Sequence, residues 1–333
     1  MNLAQRTFMS SKHTLFVAAA CALPLSIAAC GSSSSENQIV PEGTHYGYVV
    51  SKAQVPTMPN DVNAFGLDLG AKTSSKPDGI VDNALGQVFA TLTMLKFDIQ
   101  GTITAAVDQG NILLLVDFQT KDFANASAAG LSVKLGANPM PAPCNSPTDC
   151  RHHLDGTGTF TIASDSPMDD LVAGKIVGGT FTGGPGDLTL QIAVGSTTPI
   201  KLALLHARVT ATSISATGMT AILGGLVTKT ELTTQVGPPL LTSVKTIFDR
   251  DCPVPRSPPG CNCGTGTTGA LVESVVDVSP KDCALSIDEL FGNPVVAPML
   301  VPDSCSMDSC TTADALSIGI KVEAVKGTFP LGM

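Results

Sequence analysis

Short apolar runs that alternate with polar residues, and that stop at glycine or proline, constrain the fold of this chain most strongly. In the clearest of them, Leu188 to Val194, every second residue is a large aliphatic one. Side chains on a strand point alternately to opposite faces, so this period predicts a strand with one buried face. The segment 200–216 predicts a longer strand with a bulge, because its apolar residues change parity near Leu204. We expect a mainly β domain with an antiparallel, sandwich-like arrangement of strands.

Short helices are expected between these strands. Asp82 has the place of a helix N-cap, because apolar residues follow it at helical spacing. The segment 98–109 shows the same spacing. Thr228 and Glu231 form a capping-box pattern ahead of apolar residues in the segment 241–248. The 32 glycines and 23 prolines of the chain disfavour long helices. The sequence therefore predicts three or four short helices in a β-rich domain.

Residues 1–29 have the layout of a signal peptide. Arg6 and Lys12 precede an uncharged apolar run that extends from Leu15 to Ala29. Its 15 residues are fewer than the roughly 20 that a membrane-spanning helix needs. We therefore expect export and cleavage, not a membrane-spanning helix.

The end of this apolar run carries a lipidation pattern. Ile27, Ala28, Ala29 and Cys30 closely resemble the lipobox of bacterial lipoproteins, in which an aliphatic and two small residues precede an invariant cysteine. The resemblance implies a diacylglycerol on the Cys30 sulfur, cleavage before Cys30, and a further acyl chain such as palmitate on the new amino group. Two or more acyl chains hold a protein durably on a bilayer. The alternative is an ordinary secreted protein in which Cys30 has no special role.

The same resemblance indicates a location in the cell. Gly31, not aspartate, follows the cysteine, as in lipoproteins that are sorted to the outer membrane. We expect the general secretory route and membrane lipid as a partner, with residues 30–45 as acylated cysteine and polar tether, followed by a single β-rich domain over 46–333. Three further segments are similar to uncharacterised cysteine-containing bacterial envelope lipoproteins, and this similarity implies no activity: Gly66–Leu69, Asp78–Gly86 and Ala313–Gly319.

Charge excludes one class of partner. Loss of Arg6 and Lys12 with the signal peptide leaves 17 basic and 28 acidic residues, a net charge of −11. Such an acidic surface repels a phosphate backbone, so we do not expect nucleic acid as a partner. With 43% apolar residues the chain can form a packed core, which excludes a disordered protein.

Eight cysteines follow Cys30, and an even number in an exported chain predicts disulfides. Two pairs are close in sequence and are expected to close locally, namely Cys144 with Cys150 and Cys305 with Cys310. The other four lie in a cysteine-rich portion over 251–311. Cys261 and Cys263 are separated by a single residue, so they cannot bridge each other without strain. Cys252 can pair with Cys261 or with Cys263, and Cys283 then pairs with the remaining one. A zinc site formed by these cysteines is the alternative. These four are Cys252, Cys261, Cys263 and Cys283.

Three aspartates form a candidate calcium site. The run Asp78-Gly79-Ile80-Val81-Asp82 resembles the second half of a calcium loop, in which alternating oxygens surround a hard cation. Lys76 stands where the first half of such a loop needs an acidic residue, and Asp68 is the group that could replace it. The competing interpretation is a turn at Asp78–Gly79 followed by a helix cap at Asp82.

Other candidate chemistry is sparse. His152, His153 and Asp155 offer two imidazoles and a carboxylate to a metal, but adjacent residues on a strand point apart. His206 lies in the bulged strand with no recognisable partner. Ser317 is the nearest approach to a nucleophile elbow, yet alanine replaces the first glycine of that motif and no histidine follows it.

These observations favour a non-enzymatic role. We expect a lipid-anchored bacterial envelope protein that serves binding, adhesion or structure and needs no cofactor. One alternative is an adhesion or ligand-binding module assisted by calcium. The other is a hydrolase whose catalytic residues are scattered along the sequence.

Overall fold

Eleven β-strands dominate the part of the chain that the computed structural model describes, which comprises residues 39–193, 199–278, 280–307 and 309–332. The predicted signal peptide and Cys30 lie outside the described residues, as does Val194. The first strand begins at Thr44, two residues before the predicted start of the domain. The strands are β1 (Thr44–Gln54), β2 (Leu114–Thr120), β3 (Ala126–Met140), β4 (Cys144–Ser146), β5 (Asp149–Cys150), β6 (Thr159–Ile162), β7 (Val172–Val177), β8 (Thr180–Ile192), β9 (Ile200–Ser215), β10 (Gly218–Thr228) and β11 (Ala315–Lys326).

Eight of these strands close into an antiparallel barrel. Their order is β2-β1-β11-β10-β9-β8-β7-β3, and β2 also pairs with β3, which joins the two edges of the sheet. Strand β6 is added to β3 outside the ring, and β4 pairs with β5 alone. The mainly β prediction is confirmed, whereas the sandwich is wrong. Alternating burial looks the same in a closed sheet and in two packed sheets, so the sequence pattern does not distinguish them.

Alternate residues of each strand fill the barrel interior. Phe118 and Phe181 meet edge to face there, with their ring centroids 5.2 Å apart. Small residues stand opposite the large ring, since Phe181 pairs with Ala211, which in turn pairs with Ala221. An eight-stranded barrel has an interior just wide enough for side chains. The alternation predicted at Leu188–Ile192 contributes Leu188 and Leu190, which are buried.

The predicted bulge in the long strand is present. The register between β9 and β10 shifts between the pairs that contain Arg208 and Leu205. His206 lies inside this irregularity with a φ of 50°. The parity change of the apolar residues is therefore explained by an insertion that moves their side chains from one face to the other.

Seven α-helices lie in the described part of the chain, where three or four were expected, and four of the seven have at least eight residues. In those same residues, no helix is both long and apolar enough to cross a membrane. The helices are α1 (Pro59–Ala64), α2 (Ala84–Met94), α3 (Ile99–Asp108), α4 (Lys229–Glu231), α5 (Gly237–Asp251), α6 (Thr268–Val275) and α7 (Ile287–Gly292), with one π-turn at Leu232–Val236 and 3₁₀ turns at His152–Leu154 and Ala297–Leu300.

Helices α2 and α5 cover one end of the barrel. Leu85, Val88 and Phe89 of α2 line a small apolar cavity, about 30 Å³ in volume, together with Leu202 of β9 and Ile318 of β11. These strand residues lie where β9 and β11 begin, which is the same end of an antiparallel barrel. The apolar faces predicted for the helices are therefore buried against the mouth of the barrel.

The N-cap of α2 differs from the predicted one. Asn83, not Asp82, caps the helix, because its side chain accepts a hydrogen bond from the N–H of Gly86 at 3.0 Å. The Asn83 amide also bonds Gly319 of β11, whose N–H donates to it at 2.9 Å. Asparagine has both a donor and an acceptor, so it can cap the helix and join it to the barrel.

Four disulfides are present among the residues that the structure describes. Cys144–Cys150 and Cys305–Cys310 close locally, as predicted. In the cysteine-rich portion the bonds are Cys252–Cys263 and Cys261–Cys283, which is one of the two open pairings. With their sulfurs bonded to each other, these cysteines do not provide the thiolates that a zinc site needs.

Candidate functional site

The chain between α1 and α2, residues 65–83, crosses the outer face of the barrel and is called the crossing loop here. Leu67 and Leu69 of this loop pack in a small apolar cluster separate from the main core. Their partners are Leu205, Leu226 and Ala315 on the outer face of the barrel. Asp68, between the two leucines, faces the rest of the crossing loop instead. This arrangement places a carboxylate beside the strands.

The three aspartates of the predicted calcium site all lie in the crossing loop. The Asp68 carboxylate accepts hydrogen bonds from the N–H groups of Asp78 at 3.0 Å and Gly79 at 2.7 Å. The Asp78 side chain caps its own turn, where Gly79 has a φ of +87°. Asp82 accepts a hydrogen bond from the N–H of Leu69 at 2.8 Å. All three carboxylates thus hold the loop together, and the turn expected at Asp78–Gly79 is present.

The environment of Asp82 is unfavourable for its negative charge. Burial is the main cause that raises the pKa of this carboxyl to about 6, and the negative charges of Asp303 and Asp78 add to it. In the parts of the chain that the structure describes, the groups of three or more ligand-type side chains within 4.8 Å of one another do not include Asp68, Asp78 or Asp82. The calcium site stays a prediction.

An open groove of about 520 Å³ lies between the crossing loop and the strands, and is called the strand groove here. One wall consists of Leu67, Asp68 and Pro77 of the loop, and Ile39 lines another part. Outward-facing residues of three neighbouring strands form the floor, because the alternate residues point into the barrel. These floor residues are Ala173 and Lys175 of β7, Thr182 and Gly184 of β8, and Arg208 and Thr210 of β9.

A bulge in β8 opens the floor of the strand groove. The register between β8 and β9 shifts between Gly183 and Gly186, so Gly184 has no strand partner. A Cβ atom at Gly184, whose φ is +109°, would lie 2.5 Å from the carbonyl oxygen of Ala207 and 3.0 Å from Arg208 Cγ. Only glycine therefore allows β8 to pass this close to Arg208.

Arg208 has an unusual position for an arginine. Its Nε atom is buried and makes no hydrogen bond within the described residues. Burial lowers the pKa of the guanidinium, and the negative charge of Asp68 acts against this shift. An arginine side chain remains charged in a protein. The strand groove thus contains the partly desolvated positive charge of Arg208, and the Nε–H group of this side chain has no hydrogen-bond acceptor among the described residues.

Lys175 brings a second positive charge to the same floor. It pairs with Thr182 across β7 and β8, and Thr182 pairs with Thr210 across β8 and β9. Arg208 lies two residues before Thr210 and faces the same side. Strand spacing and rise place the Cα atoms of Lys175 and Arg208 about 12 Å apart, a distance that their long side chains can bridge. Both cations can therefore approach one bound group.

The histidines do not form the metal site considered from the sequence. His152 Nε2 lies 3.0 Å from Asp149 Oδ1, whereas His153 is fully buried and its ring nitrogens make no hydrogen bond with described residues. Asp155 accepts a hydrogen bond from Thr157. These ligand-type side chains do not meet in any close group of the described chain.

Ser317 and His206 have structural contacts. Ser317 is fully buried. Its hydroxyl donates a hydrogen bond to Asp303 and accepts one from the N–H of Ala84 at 2.8 Å. This serine therefore joins β11 to the start of α2. The N–H of His206 donates to Asp187 across the bulge at 3.3 Å. Among the described residues, the Ser317 hydroxyl contacts Asp303 and Ala84 but no histidine, and no hydrogen bond of the His206 ring is present.

Sequence reasoning missed a group of carboxylates beside the cysteine-rich portion. Asp277, Asp282 and Glu289 have carboxylate oxygens within 4.8 Å of one another. Asp277 is buried and accepts hydrogen bonds from the N–H groups of Asp282 and Cys283 at 3.2 and 3.0 Å. Glu289 completes the capping box of α7 with Ser286. Backbone and capping contacts account for most of these oxygens.

The strand groove was also missed, although one signal pointed to it. Gly183, Gly184, Pro185 and Gly186 interrupt the strand pattern, and glycine and proline inside a strand indicate a bulge or a close approach. No protein-family model matches this chain, and neither a curated protein nor a solved structure shows significant similarity to it. The functional argument therefore depends on the residues of the chain itself.

Proposed function

We propose that this chain is a lipid-anchored bacterial envelope lipoprotein whose barrel has a non-enzymatic binding role. The lipobox-like residues Ile27 to Cys30 support the anchor. The strand groove supports the binding role, and its volume is within the roughly 300–1,000 Å³ usual for ligand sites. The single observation that carries the binding role is that Arg208 lines this open groove and its guanidinium has no hydrogen-bond partner among the described residues. Adhesion to a surface is one form of the proposed binding role.

The anchor predicts a specific pattern of fatty-acid labelling. Cells that express the chain and take up an alkyne-tagged fatty acid are expected to label the wild-type protein, whereas the Cys30→Ser variant should lose the label, because it lacks the sulfur that forms the thioether. Cys21→Ser is the matched control, since Cys21 lies inside the apolar run, and it should keep the label. Equal label in the Cys30→Ser and wild-type proteins would refute the anchor.

The binding role predicts ligand-dependent stabilisation through the strand groove. Thermal unfolding of the full chain in neutral detergent is measured against a panel of neutral, cationic and anionic small solutes. A ligand of the groove should raise the melting temperature of the wild type. The Thr182→Trp variant should lose this rise, because the indole fills the floor. Thr212→Trp, on the outer face of β9 beyond the groove, is the control. A panel in which no solute distinguishes Thr182→Trp from the wild type contradicts the binding role.

Calcium assistance is the second candidate function, and the negative charges of Asp303 and Asp78, which add to the raised pKa of Asp82, favour it. A divalent cation would offset the repulsion among these carboxylates. We expect millimolar calcium to raise the melting temperature by a few degrees, and Asp82→Asn to reduce this rise. A melting temperature that calcium leaves unmoved, or that equal magnesium raises as much, contradicts specific calcium binding.

A further inference from the structure

We infer that the strand groove binds the anionic group of its ligand, a phosphate or a carboxylate, between Arg208 and Lys175. This inference rests on the proposed binding role of the groove and names the chemical class of its ligand. The proposed anion site lies on the outer face of the barrel.

Arg208 has a buried donor without an acceptor. A buried donor without a partner costs roughly 1–3 kcal/mol, and the described residues provide no acceptor for Arg208 Nε. Guanidinium groups present several N–H donors in a planar fork that matches the oxygens of carboxylate and phosphate. No described residue bonds any nitrogen of the Arg208 guanidinium, so an anion in the groove can bond this fork, and the buried Nε takes part after a small turn of the side chain.

The Asp68 carboxylate, which lines the same groove, does not neutralise the charge of Arg208. Asp68 acts on Arg208 electrostatically, yet no ion pair joins the two side chains within the described chain. Its two oxygens are held instead by the N–H groups of Asp78 and Gly79. The crossing loop thus fixes Asp68 away from direct contact, and the guanidinium stays available to a ligand.

A second cation, Lys175, lines the same groove. Lys175 is exposed and has no ion-pair partner in the portions that the structure describes. It faces the same side of the sheet as Arg208, two strands away. A positive pair is notable on a mature chain with a net charge of −11, because the surrounding surface repels anions. Binding should therefore depend on these two side chains and weaken as salt rises.

The experiment measures anion affinity by titration calorimetry of the full chain in neutral detergent. The probes are inorganic phosphate, acetate, and two soluble headgroups, glycerophosphoglycerol and glycerophosphocholine. We expect the wild type to bind an anionic probe, and Arg208→Gln to weaken this binding roughly tenfold or more, as for loss of a charge-assisted hydrogen bond. Lys175→Gln should weaken it about threefold, because its ammonium is more exposed to solvent. Lys201→Gln, an exposed lysine of β9 that pairs with Asp165 outside the groove, should leave it unchanged.

The probes separate the sources of the anion. Tighter binding of glycerophosphoglycerol than of phosphate identifies a lipid headgroup, and the reverse identifies a free anion; both outcomes support the inference. Arg208→Lys keeps the charge but loses the fork, so it should bind with intermediate affinity, which also tests the site if Arg208→Gln fails to fold.

Two outcomes overturn the inference. Absence of binding for every anionic probe at millimolar concentration does so, and so does an affinity that Arg208→Gln leaves unchanged. If a neutral solute instead stabilises the wild type and not Thr182→Trp, the proposed binding role stands while the anionic ligand is wrong. If no solute distinguishes those two proteins, the binding role itself fails.

Discussion

Replacing Cys261 and Cys283 together by serine is expected to lower the free energy of unfolding by about 3 kcal/mol. Their disulfide spans 22 residues and leaves both cysteines buried. Reduction frees this loop in the unfolded chain, and the resulting gain of entropy favours unfolding. In the folded chain the bond also holds the segment after α6, where Asp277 accepts the N–H of Cys283. Urea denaturation of the double variant and the wild type measures the difference.

The matched control for this prediction is a short disulfide. Cys144–Cys150 closes a loop with a sequence separation of only 6 and joins partly exposed residues. The corresponding double serine variant should lose about 2 kcal/mol, because loop entropy grows with loop length. A larger loss in this control than in the Cys261 and Cys283 variant would contradict the expected order.

Lowering the pH from 7 to 4 is expected to reduce the free energy of unfolding by about 3 kcal/mol through His153 alone. Burial is the main cause that lowers the pKa of His153 to about 4, and the positive charge of Arg151 acts in the same direction. The unfolded chain binds a proton near pH 6.5, whereas the folded chain does so only near pH 4. The free energy of unfolding is therefore highest above pH 6.5, where His153 is neutral in both states. It falls as the pH approaches 4, because only the unfolded chain binds the proton in this range.

The groups around His153 define how this is measured. Asp108, Arg151 and His152 are the charged or titratable groups near its ring, and Phe160 packs at a ring distance of 6.3 Å. Its two ring nitrogens lack partners in the described residues, so His153→Phe should fold and lose this part of the pH dependence. His153→Leu, which also lacks a titratable ring, should lose the same part of the pH dependence. A slope between pH 6.5 and 4 that His153→Phe retains contradicts the prediction.

Patterns with a local cause were predicted correctly. The apolar period of the strand at Leu188–Ile192, the bulge in β9 and the helix after Asp98 each depend on neighbouring residues, and the structure confirms all three. The two close cysteine pairs are confirmed for the same reason, since short loops limit the partners that they can reach. The shift of the α2 cap from Asp82 to Asn83 was not predicted, because Asn83 also bonds β11 from a distant part of the chain.

The candidate site shows the limit of sequence reasoning most clearly. The sequence alone does not single out Arg208, since a lone arginine in a strand has no distinguishing pattern. Its importance arises where Lys175, Gly184 and Asp68 meet it from two other strands and a loop. That meeting depends on the order of strands and on their register, which a period of two does not specify.

Composition and local periodicity by themselves determined that this chain forms β-strands and carries disulfides, because each of these properties depends on residues close together in sequence. Only the tertiary structure decided that the sheet closes into a barrel, which cysteines of the cysteine-rich portion pair, and which side chains share the strand groove. Those outcomes depend on contacts between residues far apart in the chain, and such contacts are selected by the packing of the whole domain.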